Sequence, residues 1–262
     1  MQSKILALSL LALSAAARAE TTDCTEITSV PYAVNAPGVY CLKSSLSGIG
    51  GIGIAADDVT IDLNGHTLEV SSGIGVAAYG NSKNGTVRNG TIRGGHFAVA
   101  MISSGSGHLV ERIRAEGSGI HVRGDGGVVR NNVVIGSTSA NIGPNYGINV
   151  HEGAGIRVSD NLIVNPGLGY GGEAGGILAL GATGATIERN VVSCAAVEMF
   201  SPVRYGIHVS SDGAIVAGNH VVNMRTGITN PTGTSLFLNN TVRGAKTPFF
   251  GGVMAGTTNY SF

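Results

Sequence analysis

Two short phrases, GIHVR at 119–123 and YGINVH at 146–151, put His121, Arg123, Asn149 and His151 at alternate positions of neighbouring strand-like repeats. Alternate residues of a strand share one face. Asp125 and Glu152 follow in the turns, and Tyr146 precedes its strand by two residues, as does Tyr205 before the similar YGIHVS at 205–210 that carries His208. These residue types suit removal of a proton next to a carboxylate. Such a reaction needs a cation to neutralise the carboxylate, a base to take the proton and an acid to protonate the departing oxygen or return the proton. Arg123 is the candidate cation, because its planar fork pairs a carboxylate through two hydrogen bonds. His151 is the candidate base, since imidazole titrates near neutrality. Tyr146 is the candidate acid. His121, Asn149, Glu152, His208 and Tyr205 are candidate substrate-binding residues. The plainer reading of the same cluster is a solvated face, because the outward residues of any repeat array are polar.

The elements that must carry these residues recur along the chain. Asn132, Asn161, Asn190 and Asn219 are each 29 residues apart, with Asn64, Asn89 and Asn240 in similar settings, and each lies between two short β-branched runs. An Ile-x-Val phrase recurs between them, as in GIHVR, YGINVH, GGILAL and YGIHVS. No 3.6-residue periodicity runs long enough for helices. Three strands per repeat of ~21–30 residues indicate an all-β solenoid, a right-handed parallel β-helix of about eight rungs from Asp57 onward. Asn is expected at a corner because it tolerates left-handed backbone and its amide can bond the turn above. Gly before each Ile-x-Val strand is expected to serve a second tight corner. In this register one outward row runs Gly75, Ala98, His121, Asn149, Leu178, His208. The next runs Ala77, Ala100, Arg123, His151, Leu180, Ser210. The 137–147 and 165–175 turns are the expected walls of a cleft.

Residues 1–19, with Lys4, an apolar run and Ala17-Arg18-Ala19, have the pattern of a secretory signal. No other segment is apolar enough to span a membrane. Without that segment the chain has 14 basic and 16 acidic residues, a net of −2, which argues against a nucleic-acid partner. A secreted or periplasmic location suits Cys24 and Cys41 as a disulfide within an N-terminal cap spanning 20–50. The helix proper is expected over 51–262. Cys194 is expected to be a buried thiol. Arg88, Arg93, Arg112, Arg114, Arg130, Arg157 and Arg189 lie near the Asn corners, interleaved with acids that would pair with them. The aromatic C-terminus is either a cap or a surface for homo-oligomers.

The phrases GIGIAADDVTIDLNGHTL and NGTVRNGTIRG resemble the opening of secreted bacterial right-handed parallel β-helix repeat proteins, the pectate-lyase-like superfamily. That resemblance implies a polysaccharide partner, and with the cluster above it implies a lyase or C5-epimerase acting on an acidic polymer. The chain carries no Asp-Pro-His triplet of alginate epimerases and no clustered aspartates like a pectate-lyase calcium site. No cofactor or metal is therefore expected, although His121, His151 and Glu152 are a conceivable zinc set. Two other classes stay open. One is a non-catalytic glycan-binding or cell-envelope protein; the other is an oligomeric small-molecule enzyme with its site between chains.

Overall fold

The computed structural model describes residues 20–136, 145–166, 174–195, 204–255 and 258–262. The signal-like segment 1–19 lies outside them. Among the described residues every regular element is a strand, and the strands pair in parallel from coil to coil. A typical coil runs Val128–Arg130, a corner, Val133–Ile135, then Asn145–His151. The next repeats it as Arg157–Ser159, Leu162–Val164 and Ala174–Leu180, with Val129 over Val158, Val134 over Ile163 and Ile148 over Ile177. The chain is thus a parallel β-helix with three walls. The first two walls are linked at the Asn corner by the long strands Thr86–Gly94 and Leu109–Glu116, and together form a 19-stranded sheet. The third wall is a ten-stranded sheet of its own, with eight strands downstream of Asp57. Tyr32–Val34 pairs with Ile52–Ile54, and Thr25–Glu26 with Gly38–Cys41, so the segment around the Cys24–Cys41 disulfide is in register with the coils above it.

One coil cannot bury its own apolar side; stacking closes a continuous core. Val76, Val99, Ile120, Ile148, Ile177, Ile207 and Ile228 form one inward row of the third wall, and all are fully buried. Cys194 is also buried, as expected.

The corner carries a polar column inside this apolar frame. Each Oδ1 accepts from the backbone N–H and the side-chain amide of the Asn one coil below. Each amide also donates to a backbone carbonyl. Asn132 gives to Asn161 Oδ1 at 3.0 Å, Asn161 to Asn190 at 2.9 Å, and Asn190 to Asn219 at 3.0 Å. The column continues through Asn240 to Asn259.

Two expectations need correction. The left-handed residue is the one before the ladder Asn: Asn131, Asp160, Arg189, Gly218 and Asn239 have φ of 52–63°. The ladder Asn itself turns its amide inward, and Asn89, which is left-handed, aligns with Asn131 rather than Asn132. The ladder slot in the earlier coils is held by Gly90 and Ile113. Second, Gly147, Gly176, Gly206 and Gly227 do not have positive φ. They are required by close approach, because a Cβ on each would lie 2.3–2.6 Å from a methyl of Ile163, Val192, Val221 or Val242 on the opposite wall.

Replacing Asn190 by Ala would leave the N–H of Asn161 and one of its amide hydrogens without an acceptor, and would remove one donor each from the Val158 carbonyl and from Asn219 Oδ1, which keeps the N–H of residue 190. Buried orphans cost about 1–3 kcal/mol each. Asn190→Ala should therefore lose at least about 2 kcal/mol in urea unfolding. Asn239→Gly, at a left-handed position outside the column, should change stability by less than about 1 kcal/mol.

Candidate functional site

The outward face of the third wall carries the candidate residues. Its rows differ from the expected ones by one feature. Within Phe97–Met101 a bulge between Phe97 and Val99 shifts the register, so Ala100, not Ala98, lies beside His121. Ala98 is absorbed into the core. The row is therefore Ala77, Ala100, His121, Asn149, Leu178, His208, Thr229, Phe250. The second row keeps Arg123, His151, Leu180 and Ser210, but no alanine leads into Arg123. Sequence does not expose the bulge because FAVAM has the same length and pattern as its neighbours.

Four of the proposed residues meet where expected. His121 and His151 have ring centroids 4.9 Å apart, and Phe97 closes the other side of His121 at 5.5 Å. Asn149 is the register partner of His121 and is only 3 % exposed. Among the described residues neither His121 Nε2 nor Asn149 Oδ1 has a hydrogen-bond partner, although both atoms are buried. A buried polar atom left unpaired is costly and calls for a reason. A hydroxyl is the kind of group that pairs with either atom, accepting from an Nε2–H or donating to an amide oxygen.

Arg123 pairs with Glu152, and both side chains are well exposed, at 43 % and 63 %. They border a groove of about 400 Å³ that also includes Lys83, Asp125 and the backbone of Gly105, Gly124 and Gly153. Asp125 is held there by the N–H of Ala154 at 2.7 Å.

Tyr146 goes elsewhere. Its hydroxyl lies 3.2 Å from His208 Nδ1, and its ring passes over Gly175, where a Cβ would clash at 2.6 Å. His208 belongs to the strand two coils beyond His151, ~10 Å up the stack. Tyr146 is 2 % exposed, and its ring and that of Tyr205 both flank His208. The expected trio of Arg123, His151 and Tyr146 is thus split into a His121–His151–Arg123 group and a Tyr146–His208–Tyr205 group. Sequence offsets place Tyr146 on its strand but cannot give the direction of its long side chain. Gly175 in the register slot between Tyr146 and Tyr205 is the signal for it.

Most of the expected wall loops, 137–144 and 167–173, lie outside the described residues. Among the described residues no group of three or more His, Cys, Asp or Glu is arranged to hold a metal ion. A His–Ser pair has no signature in the sequence: His108 Nε2 is 2.7 Å from Ser103 Oγ. The Gly85 N–H donates to His108 Nδ1, and Ser103 donates to the Ser82 carbonyl. Both groups are thereby committed to the turn, and both are buried.

Burial lowers the pKa of His121 to about 4, helped by the nearby His151 and Arg123. Burial also lowers His151; Glu152 opposes this and Arg123 adds to it. His108 is lowered chiefly by burial. All three are neutral at pH 7.

A three-walled parallel solenoid with a half-buried polar row on its third wall defines the class: a β-helix that presents a ligand-sized face on stacked strands. The right handed beta helix region family matches residues 35–192, and the chain belongs to that family. Among curated proteins, none matches the chain. Two solved structures are similar at low identity. One is the tailspike protein of the E. coli bacteriophage HK620 in complex with a pentasaccharide, with TM-score 0.35 and 13 % identity over 90 % of this chain. The other is the catalytic domain of a GH87 alpha-1,3-glucanase in complex with tetrasaccharides, with TM-score 0.24 and 14 % identity over 88 % of this chain. The matches span 53 % and 63 % of those two chains.

The depressed histidines set the acid stability. The unfolded chain takes up their protons first, near pH 6.5, so stability is complete above that value and falls as the pH drops toward about 4. His121 contributes no more than about 3 kcal/mol of this loss, at about 1.4 kcal/mol per pH unit. The lowered carboxylates Asp62, Glu116 and Asp160 add their own loss only at lower pH. Urea midpoints measured from pH 8 to pH 4 should show the first decline. His121→Asn should flatten it.

Proposed function

We propose that the chain is an exported carbohydrate-active protein whose third wall binds an acidic polysaccharide, with elimination at a uronate unit as its reaction. The observation that carries this reading is the adjacent, buried and unpaired His121 Nε2 and Asn149 Oδ1. A hydroxyl-bearing ligand satisfies that pair of atoms, beside a neutral imidazole and a guanidinium.

The chemistry comes from the neighbours. The Arg123–Glu152 pair is exposed, and such pairs are worth only about 0–1 kcal/mol, so a substrate carboxylate can replace Glu152 on the guanidinium at little cost. With the carboxylate neutralised, neutral His151 removes the α-proton. The C–H electrons form the new double bond, the bond to the glycosidic oxygen breaks, and the imidazolium returns its proton to that oxygen. One group acting as base and then acid needs no partner on the opposite face of the sugar. Epimerisation does need such a partner. The engagement of Tyr146 with His208 therefore favours elimination over epimerisation.

Alginate, pectate and glycosaminoglycans should be offered in turn while ultraviolet absorbance follows the unsaturated product. At least one should react. The rate should rise with pH through the lowered pKa of His151 and level off by neutrality. His151→Ala should lower kcat roughly 100- to 10,000-fold. Silence across the panel, or full activity in that variant, would reject the assignment.

A second property is favoured by the exposed Val253, Met254, Tyr260 and Phe262 of the last coil, which suit self-association. Sedimentation should then give a mass that rises with protein concentration.

A further inference from the structure

The Tyr146–His208–Tyr205 group adjoins a second recess that the elimination chemistry does not use. Two rows of the third wall form its sides. Tyr205, Thr226 and Thr247 lie in one register row, and His208, Thr229 and Phe250 in another. The residues between the rows, Ile207 and Ile228, point into the core, so the rows bound a slot in the sheet face. The slot holds about 290 Å³ and is closed on a third side by Pro231. That is the low end of the range for ligand pockets, the size of one small ring rather than a chain of them.

The lining chemistry is specific. Three threonines bring hydroxyls that both donate and accept. His208 is set by the Tyr146 hydroxyl at 3.2 Å and by the Tyr205 ring at 4.5 Å between centroids. Phe250 lines the slot and is 57 % exposed, so its ring face is open to a ligand. Among the described residues, no carboxylate, lysine or arginine lines the slot, in contrast to the groove at Arg123 with its two cations and two acids. An aromatic face beside hydroxyls and an imidazole fits a ring with one C–H face and several hydroxyls.

We propose that Tyr205, His208, Thr226, Thr229, Thr247 and Phe250 form a subsite for an uncharged sugar unit, two to four strands and ~10–19 Å along the same face from His151. The inference rests on reading that face as a glycan surface and adds to it a substrate class. The polymer carries neutral units as well as acidic ones, so a heteropolysaccharide is preferred to a pure uronan. Phe250 stacks on the ring, and the threonines and His208 read its hydroxyls. Tyr146 is a positioning residue that fixes the orientation of His208.

Saturation-transfer NMR with the methyl glycosides of glucose, galactose and mannose tests this on the intact chain. Methyl glucuronoside is the charged comparison. At least one neutral glycoside should receive saturation, and the charged one should bind no better. Phe250→Ala should weaken binding at least 10-fold. Phe250 is exposed, so the variant should keep the wild-type circular dichroism. Thr247→Val, which holds its volume and loses its hydroxyl, should weaken binding as well. Arg123→Ala should leave it unchanged. No transfer to any neutral glycoside, or a signal that survives Phe250→Ala, would overturn the subsite. Neutral-sugar binding without any elimination of acidic polymers would leave the subsite standing and remove only the chemistry at His151.

Discussion

The stacked corner amides are the interaction on which the rest depends. Each ladder Asn uses its acceptor and both side-chain hydrogens. One hydrogen meets a carbonyl and the other meets the next Asn up the column. A column of this kind tolerates no slip, because a shift of one residue would bury several amides without partners. In a parallel stack whose core is mostly Ile and Val, apolar packing alone is permissive of register. The polar column removes that freedom. From Asn132 onward it fixes which residue of each coil faces out, and so which side chains meet on that part of the third wall.

The walls then divide the electrostatics between them. Six of the seven arginines named from sequence form ion pairs among the described residues: Arg88 with Asp62, Arg93 and Arg114 with Glu116, Arg112 and Arg130 with Glu111, and Arg189 with Asp160 and Glu188. These lie on the first two walls and offset each other across neighbouring coils. The third wall has mainly His, Asn, Thr and aromatic residues instead, with Arg123, Glu152 and Arg204 at strand ends or in the turn beyond. Charges that satisfy one another leave little for a ligand. Half-buried neutral donors and acceptors leave more, because their desolvation cost has already been met in the free protein. The bland reading of the arginines and the functional reading of the third wall are therefore two sides of one arrangement.

The architecture is legible in the sequence because its signals are periodic. The 29-residue Asn spacing and the Ile-x-Val phrase each report a coil, and agreement between them fixes the wall order. Features that break the period are less legible. The bulge at Ala98 leaves no trace in residue type. The left-handed corner residue varies among Asn, Asp, Arg and Gly, so the constant Asn beside it draws the assignment. The repeated Gly reads as a corner because corners are the commonest use of Gly, whereas here it makes room for a methyl from the opposite wall. Direction is the least legible property. Backbone register places a Cα to within an ångström or so. A tyrosine ring can still reach into a neighbouring coil, as Tyr146 does over Gly175 toward His208.

That last displacement bears on how a solenoid face divides its work. A flat parallel sheet repeats every ~4.8 Å and offers equivalent slots at each coil. Distinct sites arise only where something interrupts the repetition. On the third wall there are three interruptions. The bulge at Phe97 brings an aromatic ring against His121 and begins the imidazole pair. The leucines at 178 and 180 separate that pair from the histidine and threonines of the later coils. Gly175 admits the Tyr146 ring and ties it to His208, opening the threonine slot beyond. A single repeating face is thereby cut into a recess with a charged margin and a recess lined by threonines and aromatic rings, at a spacing set by whole coils. A ligand that contacts both must itself repeat along the stacking axis, which a polymer does and a small metabolite does not.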